Sequence, residues 1–245
     1  MFRVYACITS QHDLRLVVVA GIVCLLACYT AMSLLDRARA TRARQRLQWL
    51  CAAAFVAGSG IWTTHFVAML AFQKNLPAGY DIGTTLLSVA IAIGVTGIGY
   101  CCAMKGETGA IVGGAIAGLA ISAMHFVGMA AWHAPADVIW NRDFVIAAIA
   151  IGVVFGAGAL VVEAAPRNRF RNRLTSAQLL ALAILGMHFT AMAAVTLVPD
   201  PRVEMPNQIM APEWLAVVIA AVTILIIALG MTGSIVDQHL ADRSV

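Results

Sequence analysis

The sequence of 245 residues has few charged residues: Asp, Glu, Lys and Arg together make up 11% of it, whereas hydrophobic residues make up 61%. An ordinary soluble domain carries about 25% charged residues. The shortage of charge therefore excludes a soluble globular protein and indicates an integral membrane protein. We expect the membrane domain to use the whole sequence, which leaves no room for a soluble catalytic domain and predicts that the chain is not an enzyme.

The Cys-x-x-Cys spacing of a zinc ribbon is also missing. The six cysteines never form a Cys-x-x-Cys pattern, and most of them fall within apolar stretches. A disulfide framework or a zinc ribbon is therefore disfavoured, and buried cysteine as a small apolar filler is the better interpretation. The first residues lack the apolar core of a cleaved signal peptide, so the first span is expected to direct its own insertion.

Seven hydrophobic stretches are long enough to cross the hydrocarbon core of a bilayer, which takes about 20 helical residues. The sequence therefore predicts an all-α integral membrane bundle of seven transmembrane helices. We expect a membrane domain over residues 1–235, and a cytoplasmic linker that begins at 236–245 and is cut off before an output domain. The predicted spans are residues 14–35, 47–72, 82–104, 109–132, 144–162, 177–198 and 214–235.

Lysine and arginine are distributed unequally between the two sides of this predicted bundle. Eleven of the 16 lie on one side, most of them in the connections 36–46 and 163–176. Because cytoplasmic loops are enriched in Lys and Arg, this pattern puts the N-terminus outside and the C-terminus in the cytoplasm, across an inner (cytoplasmic) membrane. Topology thus explains the basic residues without nucleic-acid binding, and the lipid bilayer is the first expected partner.

One short motif occurs three times, each time inside a predicted span. Each copy begins with His-Phe and ends with Met, at residues 65–69, 125–129 and 188–192, and the spacings of 60 and 63 residues indicate an internal repeat. An ionisable residue within a membrane span indicates a functional site. The copies lie on spans two, four and six, which run from inside to outside, so each histidine is expected roughly 10–15 Å below the outer surface.

The repeat unit is a pair of spans used three times in the same orientation, with the seventh, connecting span outside it. Parallel repeats are related by an axis along the membrane normal, and packed helices lie about 8–10 Å apart, so three imidazoles could meet at one ion. Positions i and i+4 share a helix face, and thioether favours Cu(I), whereas imidazole suits copper, zinc and iron. By this donor set the predicted metal is copper, and its predicted ligands are His65, His125, His188, Met69, Met129 and Met192.

Other residues have weaker signals. His12, beside Asp13 at the outer end of span one, could be a fourth ligand or a gate, but a half-exposed interfacial anchor is the preferred interpretation. His133 follows Trp132, and Trp is enriched at the membrane–water interface, so His133 is interpreted as an interfacial residue and not as a metal ligand. Closely spaced glycines indicate tight helix packing, and these are Gly109/Gly113, Gly114/Gly118 and Gly152/Gly156.

The motif copies resemble the three signature motifs of the MHYT domain, a bacterial seven-span sensory module named for Met-His-Tyr-Thr. They read Met-His-Phe-Val at 124–127, Met-His-Phe-Thr at 187–190 and Thr-His-Phe-Val at 64–67, and the runs 12–17 and 29–31 resemble the start of that domain. The resemblance covers nearly the whole chain. It implies copper binding through His and Met, sensing of oxygen, carbon monoxide or nitric oxide, and a cytoplasmic signalling partner such as a cyclic di-GMP enzyme.

Two departures from the family pattern bear on the site. Phenylalanine replaces the signature tyrosine in all three copies, which removes a hydroxyl group. Thr64 replaces the methionine before the first histidine, so the roles of Met124 and Met187 stay open, and the methionines at i+4 are the stronger candidates.

Three hypotheses follow for the function. The first is a metal-dependent sensor, as a monomer or a homodimer, in which a change at the metal shifts the packing of the bundle and span seven carries it inward. The second is a haem-binding protein with two histidines as axial ligands. The third is a zinc hydrolase, which would need a carboxylate near the histidines as general base. The nearest carboxylates on the outer side are those of Asp13 and Asp81, which lie at span ends. The lack of a carboxylate within the spans counts against an enzyme.

Overall fold

The fold is described from a computed structural model. It covers residues 2–72, 77–166, 168–203, 206 and 209–242, with side chains left out at Ala43 and at 231–242. Lys74 and Arg167, parts of two predicted connections, and the end of the predicted linker at 243–245 lie outside the described residues, as does the side chain of His239.

Eight helices make up most of the described chain, and seven of them are long and apolar enough to cross a membrane. This confirms the predicted all-α bundle of seven spans. The helices are α1 (Phe2–Gln11), α2 (Leu14–Ala40), α3 (Ala43–Ala71), α4 (Ile82–Ala103), α5 (Glu107–Ala131), α6 (Arg142–Ala164), α7 (Arg169–Ala194) and α8 (Pro212–Asp242).

Several helix boundaries differ from the predicted ones. The connection 36–46 is mostly helical, because arginine and alanine are good helix formers and only Thr41 and Arg42 separate α2 from α3. The predicted start of span six at 177 is wrong: α7 begins at Arg169, where the side chain of Asn168 caps the helix by accepting from the backbone N–H of Arg171. Its predicted end at 198 is also wrong, since the β-branched run after Ala194 is extended.

Short strands lie at the end of the bundle opposite the arginine-rich connections. They are β1 (Gly79–Asp81), β2 (Trp132–His133), β3 (Ala136–Trp140), β4 (Val195–Pro199) and β5 (Ile209–Met210). β1 pairs antiparallel with β2 and β5, and β3 pairs antiparallel with β4. None was predicted, because segments this short show no measurable alternation of apolar and polar residues.

These pairings close three helical hairpins of the same design. In each hairpin the residue two positions before the first helix pairs antiparallel with the first residue after the second helix, in the pairs His12–Phe72, Tyr80–Trp132 and Trp140–Val195. The next residue then caps the first helix with its side-chain oxygen, and these caps are Asp13, Asp81 and Asn141. The predicted repeat of paired spans is therefore confirmed as the hairpins α2–α3, α4–α5 and α6–α7.

The second helices of the three hairpins form the centre of the bundle. α3, α5 and α7 contact one another, and each cleft between two of them holds a first helix: α2 between α7 and α3, α4 between α3 and α5, and α6 between α5 and α7. α8 packs on the outside against α2 and α3. The six hairpin helices thus have approximate three-fold symmetry, which α8 breaks.

Glycines bring α5 close to its two neighbours. A Cβ atom at Gly113 would collide with the backbone oxygen of Gly99 on α4. On the other side of α5, a Cβ at Gly118 would collide with the backbone oxygen of Gly152, and one at Gly114 with that of Gly156. These contacts confirm the close packing predicted from the glycine spacings.

Candidate metal centre

The three motif-bearing helices end in the same way. Each histidine lies six residues before the last residue of its helix, at Ala71, Ala131 or Ala194. The following residue is extended in each case, and its backbone N–H bonds to the carbonyl oxygen of the motif methionine. Equal distances from equivalent ends put the three histidines at one depth, about 9 Å from the helix ends at 1.5 Å per residue.

The three imidazoles meet on the central axis. The Nδ1 atom of His65 lies 3.1 Å from Nδ1 of His125 and 3.2 Å from Nδ1 of His188. The rings stand nearly perpendicular to one another, with centroids 4.9–5.2 Å apart, and the three residues are at most 2% exposed. The structure therefore brings together the three histidines that the repeat predicted to be neighbours.

The donor set of this cluster fits a metal ion. A neutral imidazole nitrogen carries either one hydrogen or one lone pair, so Nδ1 of His65 cannot form good hydrogen bonds with both neighbours. Three lone pairs directed at one cation remove that conflict. Nitrogens about 2.0–2.1 Å from a shared ion lie about 3.3–3.6 Å from each other, close to the separations observed here.

Packing, more than hydrogen bonding, orients the three rings. Their Nε2 atoms are buried and have no hydrogen-bond partner within the described part of the chain. A metal-binding histidine usually donates its second nitrogen to an acceptor that fixes the ring. Here the neighbouring side chains and backbone must hold the orientation.

Gly128 is the clearest of these neighbours. A Cβ atom at this position of α5 would lie 2.5 Å from Nε2 and 2.9 Å from Cδ2 of His65 on α3, so the imidazole occupies the space above the glycine. The sequence analysis did not single out Gly128. The available signal was that the other two motif copies have alanine at this position, Ala68 and Ala191.

The motif phenylalanines form a second layer around the cluster. Each ring packs against the histidine before it, with centroids 4.7, 5.2 and 5.0 Å apart in the three copies. Each also contacts the residue before the next helix cap around the axis, in the pairs Phe66–Tyr80, Phe126–Trp140 and Phe189–His12. The pair Phe189–His12 links the third hairpin back to the first, so the contacts run all the way around the axis. Apolar ring contacts thus occupy the positions where the family motif has tyrosine.

His12 is part of this layer and not the half-exposed anchor that was predicted. It is only 4% exposed, because α1, which was not predicted, packs against α2 and α7 and covers it. Its Nδ1 donates to the backbone oxygen of Cys7 at 2.9 Å, and its ring packs on Phe72 and Phe189. The group of converging nitrogens consists of the three motif histidines, without His12.

The methionines lie one turn further along the same helices. Met69, Met129 and Met192 are 2%, 5% and 1% exposed, and their role as ligands stays a prediction. Met187 faces α6, since its Cγ lies 3.6 Å from where a Cβ of Gly152 would be. Met187 therefore lies on a different face of α7 from His188.

Polar groups near the end of the bundle that carries the short strands serve the fold. Asp81 accepts from the backbone N–H of Thr84 at 2.7 Å, and the hydrogen bonds from Thr84 lower the pKa of its carboxyl group. Asp13 accepts from the backbone N–H of Arg15 at 2.8 Å. Burial raises the pKa of Tyr80, so its hydroxyl stays protonated at neutral pH. Asp13 and Asp81, the carboxylates that were considered as a general base, are therefore helix caps.

Comparison with known proteins agrees with this arrangement. Three segments, residues 58–113, 118–177 and 182–239, match the MHYT family, described as a bacterial signalling protein N-terminal repeat. The chain belongs to the MHYT family. Each match begins in a motif-bearing helix and continues into the next span, which takes α8 into the third MHYT repeat.

Similar proteins are bacterial signalling proteins. An "Uncharacterized signaling protein" of Caulobacter vibrioides is 37% identical over 100% of this chain and 30% of its own length. The bifunctional diguanylate cyclase/cyclic di-GMP phosphodiesterase MucR of Pseudomonas aeruginosa is 33% identical over 96% of this chain and 35% of its own. The cyclic di-GMP phosphodiesterase NbdA of the same organism is 38% identical over 79% and 26%.

The MHYT chain described here therefore spans about a third of the length of the curated relatives it matches. No solved structure matches it.

Proposed function

We propose that this MHYT chain is a membrane-embedded sensory domain that binds a copper ion through His65, His125 and His188. The observation that supports this most is the convergence of three buried imidazole nitrogens from equivalent positions of three repeats. Met69, Met129 and Met192, on the same faces of the same helices, add thioether donors, which favour Cu(I) over zinc. Bound copper supplies a redox-active centre that can also take a diatomic gas as a ligand.

The orientation of the sensor follows from its charges. The histidines lie at the end of the bundle opposite the arginine-rich connections at 36–46 and 163–176. Because basic residues favour the cytoplasmic side, the metal centre faces outward in a bacterial inner membrane. It can then report on oxygen, carbon monoxide, nitric oxide, redox state or copper itself outside the cell.

The path inward runs through α3 and α8. α3 contributes His65 to the centre and contacts α8, and α8 continues to Asp242 at the cytoplasmic end. A ligand that favours one packing of α3, α5 and α7 shifts the population of that packing, and α8 transmits the change. The names of MucR and NbdA support an output on cyclic di-GMP, carried by a signalling domain in the same chain or in a partner. The sensor itself is no enzyme.

The two alternatives fit the geometry less well. Haem would need a slot for its macrocycle between two axial histidines, but the imidazole nitrogens here are in contact at 3.1–3.2 Å. A zinc hydrolase would need a carboxylate beside the histidines. Within the described residues the group of converging ligands consists of histidines alone, and Asp13 and Asp81 cap helices.

The proposal is tested by hydrogen exchange on the purified chain in lipid nanodiscs, with and without added Cu(I). We expect Cu(I) to slow exchange at the outer ends of α3, α5 and α7 and to change exchange in α8. A variant with alanine at His65, His125 and His188 should show neither effect. Copper binding that leaves exchange in α8 unchanged would contradict the sensor, and copper effects that persist in the triple variant would contradict the site.

A further inference from the structure

The end of the bundle opposite the metal centre holds a polar cavity of about 310 Å³. It lies between the last turn of α2, the last turn of α6 and the first turns of α7. The charged residues in its wall are Asp36, Arg39, Glu163, Arg169 and Arg173. Ligand pockets are roughly 300–1,000 Å³, so the cavity can hold a small polar group.

The ion pair between Arg39 and Glu163 is only half formed. Arg39 Nε donates to Glu163 Oε2 at 2.7 Å, and the Glu163 side chain is just 2% exposed. An arginine and a carboxylate usually form two parallel bonds. Here Arg39 Nη2 and Glu163 Oε1 are both buried and have no partner in the described part of the chain, so one donor and one acceptor beside the cavity are unsatisfied.

A second arginine adds another donor. Arg173 Nη2 donates to Asp36 Oδ2 at 2.9 Å, while its buried Nε has no partner among the described residues. Arg169 lies 3.9 Å from the other oxygen of Asp36 and is largely exposed. Three guanidinium groups against two carboxylates leave the wall with one excess positive charge, which suits an anion.

We propose that this cavity binds a phosphodiester that carries its own hydrogen-bond donor, as in the phosphoethanolamine or phosphoglycerol headgroup of a membrane lipid. The free donors of Arg39 and Arg173 match phosphate oxygens, since guanidinium and phosphate have complementary geometry. The free oxygen of Glu163 would repel a bare anion but accepts from an ammonium or hydroxyl group. The position at the helix ends, at the level of lipid headgroups, favours a lipid as the source.

The first measurement is the lipid preference of the delipidated 245-residue chain by native mass spectrometry. The probes are phosphatidylethanolamine, phosphatidylglycerol, phosphatidylcholine and diacylglycerol. Phosphatidylcholine keeps the phosphate but has no donor, so it should bind at least about tenfold more weakly than the first two. Diacylglycerol lacks the phosphate and should bind weakest. Equal binding of all four would mean lipids on the outside of the bundle only and would overturn the proposal.

Two variants assign the preference to this cavity. Arg39→Gln should weaken binding of phosphatidylethanolamine and phosphatidylglycerol by at least about tenfold. Glu163→Gln should remove the discrimination against phosphatidylcholine, because an amide no longer favours the ammonium group. Arg202→Gln is the matched control, since it breaks an exposed ion pair with Asp200, 3.0 Å apart, at the other end of the bundle. Lipid preferences that are the same in both cavity variants and the control would overturn the site.

Soluble glycerophosphoethanolamine distinguishes the two sources of this headgroup. If a membrane lipid is the ligand, the soluble compound should compete at least about a hundredfold less well, since it gains nothing from buried acyl chains. Competition at equal concentration would confirm the headgroup chemistry and overturn the lipid as its source. Arg39→Lys is measured as well, because it keeps the positive charge of the buried ion pair and so separates loss of folding from loss of binding. It should still bind the headgroup more weakly, since lysine lacks the forked donors of a guanidinium group.

Discussion

The imidazole of His65 lies directly over Gly128, so that a Cβ on the glycine would be 2.5 Å from Nε2. This contact joins the first and second motif copies and fixes the ring that faces both other histidines. The absence of a side chain at Gly128 therefore makes room for the His65 ring in the candidate metal centre.

Gly128→Ala should weaken metal binding. The added methyl group must displace the His65 ring, and loss of a group that orients a ligand typically costs about 10–100-fold in metal affinity. We expect a fall in that range in a competition titration with a Cu(I) chelator. Ala68→Gly and Ala191→Gly at the equivalent positions are the controls, and each should lower stability by about 1 kcal/mol through helix propensity and keep the affinity. An unchanged Cu(I) affinity of the folded Gly128→Ala variant would show that the position of the His65 ring does not matter for metal binding.

Replacement of Met69, Met129 and Met192 by leucine separates ligands from filler. Leucine and methionine have similar volumes, and such swaps usually cost under about 1.5 kcal/mol each, so the triple variant should fold. Its Cu(I) affinity should fall by about tenfold or more, whereas Zn(II) binding should change little, because thioether is a soft donor. Equal Cu(I) affinities of wild type and variant would assign the methionines to packing alone.

The helix cap at Asp81 predicts a specific dependence on pH. Hydrogen bonds from Thr84 lower the pKa of the carboxyl group, so the folded state favours the carboxylate. Its contribution to stability is present above the unfolded pKa of about 3.9 and is lost as the pH falls through the lower folded pKa. Asp81→Asn keeps a good cap that does not titrate. Between pH about 5 and 3, the melting temperature should fall further in wild type than in Asp81→Asn, and equal falls would refute the assignment.

The orientation in the membrane is open to direct labelling. The native Cys7 is unsuitable for such labelling, because it is only 1% exposed. In a variant without the native cysteines, Tyr5→Cys, at a side chain 69% exposed, should react with an impermeant maleimide in intact cells. Arg42→Cys, in the arginine-rich connection, should react only after permeabilisation. The opposite pattern would put the metal centre on the cytoplasmic side.

Much of this architecture could be predicted because its signals are periodic. Seven apolar stretches and three equal motifs determine the span count, the hairpin repeat and the meeting of His65, His125 and His188. The contacts that finish the site could not be predicted in the same way. The burial of His12 under α1 depends on the tertiary packing of a helix that is only 10 residues long.

The short strands and the cavity beside Arg39 and Glu163 could not be predicted from local sequence patterns either. The pair Trp140–Val195 forms because two chain ends emerge side by side from a helical hairpin, which no local pattern reveals. Glu163 was predicted to lie in a connection between spans. In the structure it is buried in the last turn of α6, where it accepts a hydrogen bond from Arg39. Its importance comes from a partner 124 residues away in the sequence.

The most direct test of the metal centre is the metal content of the purified protein after loading with Cu(I). Wild type should retain about one copper ion per chain, measured by plasma mass spectrometry after removal of weakly bound metal. The variant with alanine at His65, His125 and His188 should retain essentially none, while its circular dichroism still shows a helical bundle. Copper retained at the same level by the folded triple variant would contradict the account.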